Sequence, residues 1–306
     1  MKQIRATIIF LAIIFAAGQA VWGTMPPHPR YKEQLAQGLI AKPYFLEHID
    51  ELRSRGVSTP WAAPAVQRDR SIQATAAVRS VGPDEPPTGA YKALVILVDF
   101  SDQVSQVAAA EFDTLIFDPA PGTLWDYYQD VSYGTLDIVT VNLPSTIGWI
   151  RADSAYSYYV DGQNGFGDYP RNAQRLAEDV VNAANSLVDF SQYDNDGDTF
   201  VDALFIVHTG PGAEYTWSDY DIWSHAWVTN SDILLDGVYV RHYSMEPEYW
   251  QAPGDMTIGV YAHEMGHAVF GLPDLYDYDE YPDDSFGLGA WSLMAGGSWN
   301  WVEFDG

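Results

Sequence analysis

Residues 263–267 read HEMGH, and no other run in the chain states its chemistry as directly. They lie inside IGVYAHEMGHAVFG, residues 258–271, whose apolar spacing predicts a helix. Residues four apart on a helix project from one face, so His263 and His267 can share one metal ion. Glu264 is rotated away from them and would stand beside a metal-bound water. Zinc brings the pKa of such a water near neutrality, and a carboxylate can take its proton as the water attacks a carbonyl. The competing reading, two surface histidines on an ordinary helix, fits poorly with the apolar flanks.

Catalytic zinc takes three protein ligands and keeps another position open. The helix is expected to stop at Gly271, a residue suited to the left-handed C-terminal position. Asp274 comes just after that turn and can return to the metal as an oxygen ligand. Asp277, Asp279 and Glu280 compete for the role, and Asp274 is favoured because it lies closest to the turn. Tyr276 is a candidate oxyanion donor, and Glu246 and Glu248 are candidate partners of the ligand histidines. His208, His225 and His242 read as structural histidines.

Asp194, Asp196, Asp198 and Asp202 form DNDGDTFVD, with the first three alternating as in a calcium loop. Thr199 stands where an EF-hand needs Gly, and Phe205 where it needs Glu, so an EF-hand is excluded. A shorter calcium loop is expected, against the alternative of an Asx-rich turn without an ion.

The chain that must position these groups has 306 residues, 42 acidic against 15 basic, and no cysteine. A net charge of −27 argues against nucleic acid as a partner. Without cysteine there are no disulfides, thiolate ligands or cysteine-based latency. Ten of the basic groups fall in residues 1–90, so the charge is split near GPDEPPTG, residues 82–89, which reads as a linker. Lys2 and Arg5 precede an apolar run over 6–17, with the small residues Ala20 and Gly23 after it. That is the pattern of a secretory signal peptide, too short for a comfortable membrane span. The expected organisation is a signal peptide at 1–23, a pro-segment and linker at 24–88, and a catalytic domain at 89–306. An exported chain without disulfides points to a bacterial secreted or cell-surface protein. No stable membrane span remains after signal cleavage.

Buried strands are predicted over residues 92–100, 136–141, 203–208 and 222–228. Helices are predicted over 42–55, 123–134 and 171–186. Together they give an α+β layer architecture, a twisted mixed sheet carrying an active-site helix.

HEMGH with GLPDLYD shortly after it resembles the secreted zinc metallopeptidases of the immune inhibitor A family, relatives of the metzincins. GLGAWSLMAGGSW, residues 287–299, is similar to the family's Met-turn segment, which implies Met294 beneath the metal. LVDFSD at 97–102, YYQDVSYG at 127–134, DNDGD at 194–198 and VHTGPGAE at 207–214 extend the resemblance over most of residues 91–300. It implies an exported zinc endopeptidase acting on proteins or peptides, made with its own N-terminal pro-segment. Two features depart from the family. Gly271 stands four residues after His267 rather than three, which rotates the downstream chain by about 100°. The chain also stops at Gly306, soon after Met294, and reads as part of a longer protein. Two rival readings are a secreted glycoside hydrolase, which leaves HEMGH unexplained, and a calcium-stabilised binding module with a degenerate metal site.

Overall fold

A computed structural model describes residues 24–57, 87–276 and 287–301. The signal run 1–23, residues 82–86 of the linker, the acidic run 277–284 with Asp277, Asp279 and Glu280, and Phe304 lie outside the described residues.

The chain opens with three short helices, α1 (Arg30–Ala36), α2 (Tyr44–Glu47) and α3 (Ile49–Ser54). The single helix predicted over 42–55 is broken at His48, whose φ of −114° and ψ of 15° leave the helical region. Then come β1 (Gly89–Lys92), β2 (Leu94–Asp99), α4 (Ala109–Phe117), α5 (Leu124–Val131), β3 (Leu136–Val139), α6 (Pro144–Ile147), β4 (Trp149–Arg151), α7 (Tyr156–Val160) and α8 (Ala173–Ala184). The last stretch holds β5 (Leu204–Pro211), α9 (Ala213–Thr216), β6 (His225–Leu235), β7 (Val238–Tyr249) and α10 (Gly259–Phe270). Two helix starts are set by side-chain caps. The Thr123 hydroxyl accepts from the Asp126 amide, and the Asn172 side chain accepts from the Arg175 amide.

The main sheet has five strands in the order β4-β2-β5-β7-β6. All neighbours are parallel except β6, which pairs antiparallel with β7. This is a mixed α/β architecture with a mixed sheet. The six residues of β2 are buried because both faces are covered. Leu94, Ile96 and Val98 pack with α8 and the N-terminal segment, while Val95 and Leu97 pack with α5 and α10. Leu35, Phe45, Leu46, Leu52 and Val57 belong to the first of these clusters. Burying such a side chain contributes about 1.5–3 kcal/mol relative to leaving it exposed.

The β6–β7 hairpin goes beyond the strand predicted over 222–228. Asp236 and Gly237 both take positive φ, 50° and 87°, as a two-residue type I′ turn requires. That Asp-Gly pair is the sequence signal for β7, the strand that carries Glu246 and Glu248.

His208 and His225 are fully buried, and each ring Nδ1 pairs with a backbone carbonyl, of Thr209 and Trp223 respectively. Burial holds both pKa values down at about 4. The neutral rings therefore lend stability that is full above the unfolded pKa of about 6.5 and is lost as pH falls toward 4. His225→Gln, which cannot take up that proton, is expected to lessen the drop in Tm between pH 7 and 4.5. Circular dichroism melts at the two pH values check this, and an unchanged drop would remove His225 from the account.

Candidate metal centre

α10 lies between the sheet and the rest of the lower core, so its polar residues are as dry as its apolar ones. His263 and Glu264 are 0% exposed and His267 is 1%. The helix ends as predicted at Gly271, with a φ of 62°. The amides of Gly271 and Leu272 return to the carbonyls of His267 and Gly266. Asp274 Oδ1 comes to 3.0 Å from His263 Nε2 and 3.3 Å from His267 Nε2. The two Nε2 atoms are 3.1 Å apart. Tetrahedral zinc with bonds of about 2.0–2.1 Å has edges of about 3.3–3.4 Å, so the three atoms fit one face of that tetrahedron. Two imidazole nitrogens and one carboxylate oxygen are also a donor set that zinc accepts.

The ring orientations fit the same purpose. His263 Nδ1–H donates to the Leu293 carbonyl at 2.9 Å, and His267 Nδ1–H donates to the Leu272 carbonyl at 2.6 Å. Each bond leaves the Nε2 lone pair directed at the shared point. Burial opposes charge on His263, but the adjacent Asp274 carboxylate lifts its pKa to about 9. Burial also works against the Asp274 carboxylate, and the two histidines outweigh it and hold the group below the usual range.

Glu264, next to His263 in sequence, has both oxygens buried and without a hydrogen-bond partner among the described residues. Burial pushes its carboxyl up to about 8, partly offset by His263. Glu246, also fully buried, is pushed well up by burial and then by Glu264. It therefore faces the electrostatic field of Glu264. Glu248 departs from expectation as a partner of the ligand histidines. Its carboxylate accepts from the amides of Gln106, Val107 and Gly210, so it ties the 106–107 loop to the end of β5.

Met294 is buried, and a Cβ on Gly266 would meet its Sδ at 2.6 Å. The glycine between the two histidines is thus what lets the sulfur reach the helix. Trp299 is more deeply placed than a shallow terminal aromatic. It is 4% exposed, its ring lies 4.9 Å from that of Trp250, and its indole donates to the Pro26 carbonyl.

Residue types alone give no sign of Thr24. Its carbonyl oxygen is 3.1 Å from His263 Nε2, its amide donates to Asp274 Oδ2 at 3.2 Å, and the Tyr276 hydroxyl donates to its carbonyl at 2.8 Å. Thr24 also forms an antiparallel bridge with His225 at the start of β6. Main-chain atoms of Thr24 make most of these contacts, and its hydroxyl adds a hydrogen bond with the Tyr276 hydroxyl, so residue type points only weakly to this place.

Of the four acids in DNDGDTFVD, the ligand atoms of Asp194, Asp196 and Asp202 converge within 4.8 Å. Asp198 accepts from the Phe200 amide, and Asp194 accepts from the amides of Gly197, Asp198 and Thr199. Asx-type hydrogen bonds of this kind hold the loop's shape.

Gly266→Ala is expected to force Met294 away and to weaken zinc binding by about tenfold to a hundredfold, taking a typical overpacking cost of 1–3 kcal/mol. Competition with a chromogenic chelator checks this, and unchanged affinity would detach Met294 from the metal centre.

Residues 120–303 match the model of the immune inhibitor A peptidase M6 catalytic domain. Over 204 residues the chain is 31% identical to immune inhibitor A of Bacillus thuringiensis subsp. alesti, covering 58% of this chain and 28% of that protein. Over 180 residues it is 29% identical to the pre-pro-metalloprotease PrtV of Vibrio cholerae serotype O1 (strain M66-2), covering 50% of this chain and 19% of that protein. The chain therefore spans under a third of the length of these relatives. The matched region takes in more than half of the chain and holds His263, Glu264, His267 and Asp274 together, so this chain belongs to the immune inhibitor A peptidase M6 family.

Proposed function

We propose that this chain is the catalytic part of a secreted, metzincin-like zinc endopeptidase, preceded by a signal peptide at 1–23 and a pro-segment within 24–88. The observation that carries the reading is the triangle of His263 Nε2, His267 Nε2 and Asp274 Oδ1 at tetrahedral spacing, with an unpartnered carboxyl next to it. His263, His267 and Asp274 would hold the metal. Zinc, when bound, acidifies a coordinated water and polarises the carbonyl under attack. Glu264 takes the proton of the attacking water and passes it to the departing amine nitrogen. The Tyr276 hydroxyl, which donates to the Thr24 carbonyl, would donate in the same way to a substrate carbonyl oxygen as charge develops on it. Met294 closes the floor of the site as a Met-turn residue.

The segment that begins at Thr24 accounts for latency. Its carbonyl takes the place beside His263 that a substrate carbonyl needs. A peptide cannot enter while it stays there, so the pro-segment is the first partner of the site and protein or peptide substrates are the second. No helix among the described residues is long and apolar enough to cross a membrane, which is compatible with export.

Calcium at Asp194, Asp196 and Asp202 belongs to the same reading. Burial, with Asp196 and Asp198 nearby, pushes the Asp202 carboxyl up to about 7, and a cation would relieve that repulsion.

Zinc content and casein cleavage test the central claim. The processed wild type is expected to carry one zinc per chain and to cleave casein. Glu264→Gln should keep the zinc and lose activity by about a hundredfold to ten-thousandfold. Absence of zinc would overturn the reading, and zinc with cleavage independent of Glu264 would leave a binding module in its place. For calcium, millimolar calcium is expected to raise the Tm of the wild type but not that of Asp196→Asn. Equal shifts in the two proteins would remove calcium from the loop.

A further inference from the structure

Residues 24–57 meet the rest of the chain in two chemically different ways. In 24–28 the hydrogen bonds are mostly made by main-chain atoms. The Met25 amide donates to the Ser224 carbonyl and the His28 amide to the Glu214 carbonyl. The indoles of Trp223 and Trp299 donate to the carbonyls of Met25 and Pro26. Any extended peptide offers the same atoms, so a substrate can replace this stretch. Thr24, Met25, Pro26 and Pro27 are buried as well, and the His28 ring lies edge-on to Trp299 at 4.7 Å, yet none of these residues belongs to the larger hydrophobic core.

Residues 35–57 are held by features that only this sequence supplies. Leu35, Phe45, Leu46, Leu52 and Val57 are part of the larger hydrophobic core, and Leu52 and Val57 are 0% exposed. The Phe45 ring lies 4.7 Å from Trp223 and 5.3 Å from Phe166. Its amide donates to Oδ1 of Asn164, a wholly buried residue. The Trp227 indole donates to the Arg55 carbonyl, and the Arg55 guanidinium donates to the carbonyls of Phe166 and Gly167. Taking this stretch away would uncover three aromatic side chains and leave buried polar groups unpaired, which interiors rarely tolerate.

We propose that residues 35–57 are a permanent structural part of the enzyme. They stay seated, without a covalent link, after the chain is cut between residues 57 and 87, and only 24–28 leave when the cleft opens to substrate. The proposal rests on the latency reading above and separates the blocking element from the element that completes the fold. The surface made by Asn164, Phe166, Trp223 and Trp227 is then an internal interface, and its partner is this chain's own segment.

The test uses the full chain carrying Glu264→Gln, to prevent self-cleavage, with a site-specific protease sequence placed between residues 57 and 87. After cutting, the N-terminal fragment is expected to co-elute with residues 87–306 at one to one on size exclusion and in native mass spectrometry. Departure of the fragment, with the remainder folded or unfolded, would overturn the proposal. Hydrogen exchange on the uncut chain supplies a second reading. The amides of Met25 and His28 are expected to exchange at least tenfold faster than those of Leu52 and Val57, and equal protection would overturn the division into two parts. Neither readout depends on catalysis. A chain that keeps the fragment but binds no zinc would fail the functional reading alone, and one that cleaves casein but sheds the fragment would fail this one alone.

Discussion

Two imidazoles one helical turn apart bring their Nε2 atoms within 3.1 Å of each other inside a dry interior, and that approach depends on how each ring is held. Each ring is fixed through its other nitrogen by a backbone carbonyl, of Leu293 for His263 and of Leu272 for His267. Backbone carbonyls have no rotamer freedom of their own, so the segments bearing them must be held. Leu272 sits in the turn that caps α10, and Leu293 sits next to Met294, whose sulfur rests on Gly266. Helix end, the Met294 contact and ring orientation are thus one mechanical unit.

The same turn delivers Asp274. It is a tight left-handed cap whose two hydrogen bonds return to Gly266 and His267. Leu272 serves both the cap, through its amide, and the orientation of His267, through its carbonyl, so the positions of Asp274 and His267 are coupled.

Buried acids near the centre are handled in three ways. Glu248 is saturated by three amides, which suits a permanent carboxylate with a structural task. Glu214 accepts from the amide and hydroxyl of Ser224, and burial still lifts it to about 7. Glu264, like Glu246, is left without a hydrogen-bond partner among the described residues, which is costly for the fold. The mixed sheet supplies the walls that keep these groups dry, with α8 and the N-terminal segment covering one face and α10 the other.

Local spacing is enough to identify His263, Glu264, His267 and the helix that bears them, because a four-residue interval on a helix has one geometric meaning. It is also enough for β2, β5, α5 and α8, whose apolar runs and caps are short-range signals, and for Gly271 as the stop. Asp274 is favoured by its place after the turn, yet only the chain path brings its oxygen within 3.0 Å of His263. The hairpin partner β7 is legible in Asp236-Gly237, a turn pair that a search by apolar runs alone passes over. Glu248, expected beside the histidines, serves the 106–107 loop instead, since strand register decides which neighbour a carboxylate meets. The place of Thr24 cannot be read from its type at all. A backbone carbonyl 239 residues away in sequence from His263 has no residue signature, and only the folded path of the chain puts it there.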